Sequence, residues 1–285
     1  MADVDEVLRD RYRLGRSGFS SGSQLYERAR PGYSDESVAH LAATLGITAG
    51  RTVLDVAAGT GKLTRSLVAT GATCLAAEPS ASMLEVFAVT VPGVPAVGST
   101  AERLPFASAT LDAIVVAQAF HWFDAPIALA EFARVLRPRG GLALIWNERD
   151  ESDPMVAQLT RISKWDTHQP YPVGRDFGRV VDASGRFEPV VRTRFSFTQA
   201  LDRTALVEQV ATRSYVAVLP EDRRRTLLDE VAQFAATLAE PILVPYIADT
   251  FCTRTRPRDR TRRSHRCDAR CRSRAAASGM AAPHP

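Results

Sequence analysis

Cysteine and long apolar runs are scarce in this sequence. Its 285 residues include four cysteines, which excludes a small scaffold held together by disulfides. Cys267 and Cys271, near His265, lack the spacing of a zinc-ligand pair, so no metal site is predicted. No stretch approaches the roughly 18 consecutive apolar residues of a membrane helix. The opening residues, MADVDEVLRD, are acidic where a secretory signal would be basic and then apolar, so we expect a cytoplasmic protein without a membrane segment.

Most of the chain has no excess of positive charge. The net charge is +4, but residues 251–285 contain ten Arg and two Asp, so the residues before them carry −4. A mildly acidic body is not typical of a protein that binds a phosphate backbone. The arginines are accompanied by too few large apolar side chains to form a core, so a disordered tail is predicted over 253–285.

Short apolar runs alternate with amphipathic segments along the rest of the chain. The predicted strands cover residues 52–56, 73–77, 95–99, 111–117, 142–146, 189–197 and 242–251. Helices are predicted to begin at Ser34, Ser80 and Asp124, and to cover 204–215 and 220–238. Pro138 and the pair Gly140-Gly141 are expected to end the third of these helices. The alternation predicts an α/β fold with a doubly wound, mostly parallel, seven-stranded Rossmann-like sheet and helices on both faces.

The segment from Val53 to Thr64 joins a strand to a helix through a loop of small residues. Small side chains let a ligand touch the backbone, and the start of a helix offers free N–H groups. Asp55, four residues before Gly59, would repel the pyrophosphate of a dinucleotide, and the third glycine of a dinucleotide loop is absent after Gly61. An NAD-binding oxidoreductase is therefore the weaker alternative. S-adenosylmethionine suits the acidic strand end, because it has no phosphate and carries an ammonium and a sulfonium group.

Glu78 ends the second predicted strand, 19 residues after Gly59. A carboxylate at this place can accept hydrogen bonds from both hydroxyls of a ribose. The alternative is a solvated residue at a strand end. Because Asp55 and the small-residue loop precede it, we favour the ribose role.

Five ordered segments resemble the class I S-adenosylmethionine-dependent methyltransferases, in the branch with a methyltransferase type 11 domain. They are LDVAAGTG at 54–61, AEPSASML at 77–84, AERLPF at 101–106, LDAI at 111–114 and RVLRPRGG at 134–141. The resemblance covers residues 52–146, and QAFHWF at 118–123 is similar to a bacterial subgroup. It implies that the chain uses S-adenosylmethionine as its cofactor.

The resemblance also implies roles for individual residues. Asp55 and the backbone of Ala57, Gly59 and Gly61 would surround the methionine moiety. Glu78 would hold the ribose, and Ser80 and Met83 would flank the adenosine. Ala101 and Glu102 would lie near the adenine edge, with Gln118 behind the sulfonium.

Two residues depart from the family pattern. Ala57 stands where the family usually has Gly, which a methyl group allows if the local φ is negative. Thr100 stands where an Asp commonly faces the adenine amine. Threonine is a weaker acceptor there, but neither change is expected to remove binding.

Methyl transfer in this family is an in-line displacement that depends mainly on proximity and alignment. A general base is needed only if the nucleophile carries a proton, and His121 is the candidate for that role. The alternative is that His121 and Trp122 only pack at the wall of the site. Tyr26 and Tyr33 could belong to a lid over the cofactor, or pack in a surface loop.

The acceptor is predicted to be a small molecule. The sequence has neither an Asp/Asn-Pro-Pro-aromatic segment nor a Pro-Cys pair, so a nucleic acid is disfavoured as substrate. A methyltransferase-like module that binds the cofactor without turnover stays open as an alternative. The predicted organisation is a lid segment over 1–33, a methyltransferase domain over 34–252 with an acceptor-side insertion at about 148–187, and the tail.

Overall fold

The computed structural model describes residues 22–163 and 176–257. The first elements are α1 (Ser23–Ala29), α2 (Asp35–Leu45), β1 (Thr52–Val56), α3 (Lys62–Val68), β2 (Thr73–Ala77), α4 (Ala81–Thr90), β3 (Ala96–Val97), β4 (Leu111–Ala117), α5 (Ala125–Val135) and β5 (Leu136–Arg149). Then follow α6 (Pro154–Ser163), α7 (Phe177–Ala183), β6 (Val191–Leu201), α8 (Arg203–Ala211), α9 (Ser214–Ala217), α10 (Glu221–Ala236) and β7 (Ile242–Arg254). The described residues do not include 1–21 of the predicted lid segment (1–33), 164–175 of the predicted insertion, or 258–285 of the predicted tail, which contains Cys267, Cys271 and His265.

The strands form one seven-stranded sheet in the order β3-β2-β1-β4-β5-β7-β6. The first five strands in this order pair in parallel, and β7 lies antiparallel between β5 and β6. The predicted mostly parallel, Rossmann-like sheet is therefore confirmed. The chain changes direction across the sheet between β1 and β4, and the carboxyl ends at such a switch point are where ligands bind in doubly wound folds.

Helices cover both faces of the central strands. In β4, Ile114 and Val116 pack into one core cluster, while Ala113 and Val115 pack into the other. Successive side chains of a strand point to opposite faces, so a strand covered on both sides is apolar at nearly every position. The Ile114-Val115-Val116 run predicts this burial, and all three residues are fully buried.

The helix that begins at Asp124 ends at Val135, and β5 begins at Leu136 rather than at 142. Pro138 and Gly140-Gly141 were expected to lie in a connection but belong to this strand. The close approach of α2 explains Gly141, because a Cβ there would lie 2.6 Å from the Leu45 Cδ2. Two glycines and a proline therefore mark a crowded strand start instead of a loop.

Several other boundaries also differ from the prediction. The third strand has only two residues, and the helix predicted over 204–215 is divided into α8 and α9. The predicted domain boundary at 252 falls inside β7, which continues to Arg254. Thr255 still donates its N–H to the Gly140 carbonyl at 2.9 Å. The sheet thus includes residues that the Arg-rich composition assigned to the tail.

Candidate active site

A cavity of about 360 Å³ opens at the carboxyl ends of β1, β2 and β4. Such a volume is in the range of sites for small molecules and cofactors. Most of the predicted cofactor residues contribute to its wall. They are Ala57, Gly59, Glu78, Ser80, Met83, Ala101, Glu102 and Gln118. Four separate parts of the sequence thus meet at one place.

The Glu78 carboxylate connects the first two of these parts. Its Oε2 accepts the N–H of Gly59 at 2.9 Å, and its Oε1 accepts the N–H of Ser80 at 2.9 Å. A carboxylate oxygen can accept more than one hydrogen bond, so these contacts orient the group without using all its lone pairs. Ser80 stands at the N-cap of α4 as predicted, but its hydroxyl contacts the Ser82 hydroxyl at 3.1 Å.

The backbone of Ala57 is left-handed, with φ +56°. The condition under which a methyl group fits here without strain, a negative φ, is therefore not met. The loop closes here because Ala58 donates its N–H to the Ala77 carbonyl and Gly61 donates to the Ala58 carbonyl. An L-residue in this conformation costs about 1–2 kcal/mol, which glycine avoids. The wall of the cavity therefore contains backbone strain, as functional loops often do.

Asp55 and Gly61 lie behind the cavity wall instead of on it. The Asp55 Oδ2 accepts the Thr64 hydroxyl at 2.6 Å, and its Oδ1 is buried with no hydrogen-bond partner among the described residues. Burial raises the pKa of Asp55 to about 7. Gly61 has φ +85°, and a Cβ there would lie 2.9 Å from the Phe87 Cδ2, so this glycine allows the loop to pack on α4.

Gln118 ends the wall at the carboxyl end of β4. Its backbone is left-handed, with φ +58°, and its N–H donates to the Ile145 carbonyl at 2.9 Å. The side-chain Nε2 donates to the Asn147 carbonyl at 3.1 Å. The amide is thus fixed against the end of β5.

His121 lies in a short 3₁₀ turn, Phe120–Trp122, just beyond Gln118. Its ring contacts the Trp122 ring with centroids 4.7 Å apart. Trp122 and Phe123 line the cavity, whereas His121 is not one of the described residues on its wall. The role of His121 as a base stays a prediction.

Other residues line the cavity although the sequence analysis did not place them in the cofactor set. They are Tyr26, Pro79, Thr100, Ala117, Ala119, Trp122 and Phe123. Tyr26 belongs to α1, and its neighbour Glu27 anchors that helix to the loop. The Glu27 carboxylate accepts the Thr60 hydroxyl at 2.5 Å and the Arg65 guanidinium at 2.8 Å. The tyrosines before Ser34 were the only sequence signal for this contact.

A smaller polar cavity of about 50 Å³ adjoins the first one and shares Ala57, Gly59 and Gln118 with it. We call it the polar extension. Its wall includes the polar side chains of Arg30, Tyr33, Asn147, Arg213 and Tyr246. Arg213 is deeply placed, and burial lowers its pKa to about 9. Tyr33 lines this polar extension, and its role in a lid stays a prediction.

Within residues 22–163 and 176–257, no helix is both long and apolar enough to cross a membrane. The same described residues contain no group of three His, Cys, Asp or Glu side chains arranged to hold a metal ion.

Comparison with known proteins identifies the family. A family model described as a methyltransferase domain matches residues 54–144. An uncharacterized methyltransferase of Mycobacterium tuberculosis is 40% identical over 244 residues, which are 83% of this chain and 94% of the relative.

Solved structures agree in fold. A proposed type II methyltransferase from Anaeromyxobacter dehalogenans superposes with a TM-score of 0.59 at 24% identity, over 80% of this chain and 97% of its own. A phosphoethanolamine N-methyltransferase of Haemonchus contortus, in complex with S-adenosyl-L-methionine, has a TM-score of 0.51 at 15% identity, over 84% of this chain and 57% of its own. The chain therefore belongs to the class I S-adenosylmethionine-dependent methyltransferases, in the branch with a methyltransferase type 11 domain.

Proposed function

We propose that this protein transfers a methyl group from S-adenosylmethionine to a small-molecule acceptor by in-line displacement. The observation that carries the proposal is the convergence of the predicted cofactor residues on one cavity at the switch point of the sheet. The 40% identity to a methyltransferase over most of the chain supports the reaction class.

The donor set fits the proposed cofactor. The buried Asp55 Oδ1 is an acceptor that a nearby ammonium group would satisfy, since a buried acceptor without a donor is costly. Glu78, held by two backbone N–H groups, would accept the ribose hydroxyls. Met83 and Ala101 would contact the adenine, with Thr100 and Glu102 at its edge.

When bound, the cofactor supplies an activated methyl group, so the protein mainly has to align and shield the reacting atoms. Gln118 closes one end of the cavity, and its fixed amide would help to orient the sulfonium end. Tyr26, Trp122 and Phe123 form an aromatic wall that would exclude water. In this arrangement, a base is required only for an acceptor that still holds a proton.

A titration of Glu78→Gln tests the assignment. The variant keeps the size of the side chain and removes its charge. We expect the affinity for S-adenosylmethionine to fall at least tenfold, because a hydrogen bond to a charged group contributes about 1.5–3 kcal/mol. Calorimetry measures the affinity, and Glu85→Gln is the matched control, since Glu85 is exposed on α4, the helix that follows Glu78.

Three results would contradict the proposal in different ways. Unchanged affinity in Glu78→Gln would remove the ribose assignment. Binding of NADH in place of S-adenosylmethionine would favour the oxidoreductase alternative. Tight cofactor binding, without S-adenosylhomocysteine production from any of a broad set of acceptors, would favour the module without turnover.

A further inference from the structure

A second concave surface, a groove of about 650 Å³, lies at the opposite end of the sheet from the active-site cavity. Its wall includes Leu136, the first residue of β5, which pairs with Leu111, the first residue of β4. The second half of α5, the turn after α7 and the residues after β7 complete the wall. We call it the basal groove. It shares no described residue with the cavity or with the polar extension.

Two of the four arginines on the wall of the basal groove are held by carboxylates. Arg134 forms a bidentate pair with Glu131, and both N–O distances are 2.7 Å. Arg137 contacts the Asp112 carboxylate at 2.7 Å, but Arg51 contacts the same group at 3.1 Å. One carboxylate therefore serves two guanidinium groups, and a positive charge remains in excess.

The other two arginines of the wall have no acidic partner among the described residues. Arg186 is exposed in the turn after α7, and its side chain forms no salt bridge there. Arg256 is also exposed, and its Nε donates to the Phe187 carbonyl, a neutral acceptor, at 2.7 Å. The part of the chain that the structure describes places no acidic residue on this wall. The groove therefore concentrates positive charge, although the residues before 251 carry −4 in total.

The sequence adds more positive charge directly after the groove. The described residues end at Pro257, which is itself on the wall. Residues 258–285 contain eight arginines and two aspartates, and no Phe, Trp, Tyr, Leu, Ile or Val. The chain that continues from the groove is thus rich in guanidinium groups and has almost no large apolar side chain.

This combination of charge without apolar anchors indicates the class of partner. Protein interfaces are usually centred on buried aromatic or aliphatic anchors, and none of the exposed large apolar residues of the described chain lines the groove. Membrane insertion needs apolar and aromatic side chains, and single-stranded nucleic acid is held by aromatic stacking. No aromatic residue is among those described on the wall. The phosphate backbone of a duplex, by contrast, is bound by charge alone.

We infer that the basal groove binds the phosphate backbone of double-stranded nucleic acid, without sequence preference, through Arg137, Arg186 and Arg256. Guanidinium groups suit phosphate oxygens, and each neutralised phosphate releases counterions that favour binding. The groove and the active-site cavity lie at opposite ends of the sheet, so the cavity stays open to a small acceptor. The nucleic acid is then a docking partner of the protein and not its methyl acceptor, and the inference does not depend on the proposed function.

The test measures fluorescence anisotropy of a labelled DNA duplex of mixed sequence against the full chain, as a function of salt. Three phosphate contacts at the groove alone predict a log–log slope of about −2.7, which is an affinity loss of about 40-fold or more between 50 and 200 mM salt. Arg186→Gln and Arg256→Gln should each reduce the slope by about 0.9 and weaken binding about five- to tenfold at 100 mM salt. Arg186→Lys keeps the charge and should keep the slope.

Arg161→Gln is the matched control, because it removes an exposed arginine from α6, outside the groove. Its slope and affinity should equal those of the unmodified protein, whereas an effect as large as that of Arg186→Gln would show that only net charge matters. Unchanged duplex binding in both groove variants would assign binding to residues 258–285. Tighter binding to polyglutamate, or to vesicles of phosphatidylcholine and phosphatidylglycerol, would identify an acidic protein or a membrane as the partner. Each of these three results would overturn the inference, as would the absence of duplex binding at 50 mM salt.

Discussion

Ala57→Gly is expected to stabilise the protein, although it removes a methyl group from a loop at the cavity wall. Ala57 has φ +56°, a conformation that costs an L-residue about 1–2 kcal/mol. Glycine adopts it without strain, but the greater backbone entropy of glycine in the unfolded chain offsets roughly 0.4–1 kcal/mol of the relieved strain. We therefore expect the free energy of unfolding to rise by about 0.5–1 kcal/mol.

Urea denaturation without cofactor measures this change directly, and Tm should rise by about 1–4 °C for a domain of this size. Two matched variants test the reasoning. Ala109→Gly should also stabilise, because Ala109 has φ +58° and is not one of the residues that line the cavity. Ala58→Gly should destabilise by about 0.4–1 kcal/mol, because Ala58 does not have a positive φ. If Ala57→Gly lost as much stability as Ala58→Gly, the strain at this loop would be refuted.

Three other predictions concern a buried acid, a histidine and the chain end. Burial raises the pKa of Asp55 to about 7. Between about pH 4 and pH 7 the Asp55 carboxyl group is therefore protonated in the folded state and ionised in the unfolded state. The free energy of unfolding should then fall as pH rises from about 4 to about 7, and Asp55→Asn should remove that fall in denaturation curves taken across this range. His121→Ala should lower turnover about a hundredfold or more at nearly unchanged Tm, as expected for a general base. A fall in Tm with less than a tenfold loss of turnover would show instead that the ring only packs on the Trp122 indole. Truncation after Pro257 should leave Tm and cofactor affinity intact. Truncation after Cys252 should lower Tm in calorimetric scans, since it removes the contacts of Thr255 with β5. Equal Tm values for the two truncated proteins would contradict a domain boundary after Thr255.

Several residues of the cavity wall could be predicted to lie together because they follow strand ends. In the parallel pair of β1 and β2, Val56 lies opposite Ala77. The residues that follow, Ala57 and Glu78, must therefore emerge side by side at one edge of the sheet. A carboxylate at a fixed spacing after a small-residue loop is a sequence pattern, so the sequence alone predicts the place of Glu78 at this edge, where it lines the cavity.

Other features depend on contacts that no short pattern encodes. The φ of Ala57 follows from the closure of the loop onto the Ala77 carbonyl, and composition alone allowed either sign. Arg30 donates a hydrogen bond to Thr212 across 182 residues of sequence, so the contact of α1 with the segment after α8 becomes visible only in the folded chain. The start of β5 was misplaced because glycine and proline mark both loops and crowded strands.

The position of β7 has a consequence for synthesis of the chain. It is the last strand of the described residues, yet it fills the space between β5 and β6 and pairs with both along most of its length. A nascent chain can assemble the parallel strands as they leave the ribosome, but a gap stays open beside β5 until residues 242–254 have been made. Until then the unpaired edges of two long strands are exposed to other chains. The sheet is therefore completed only when β7 has been made, and protection from aggregation is needed most just before residues 242–254 are added.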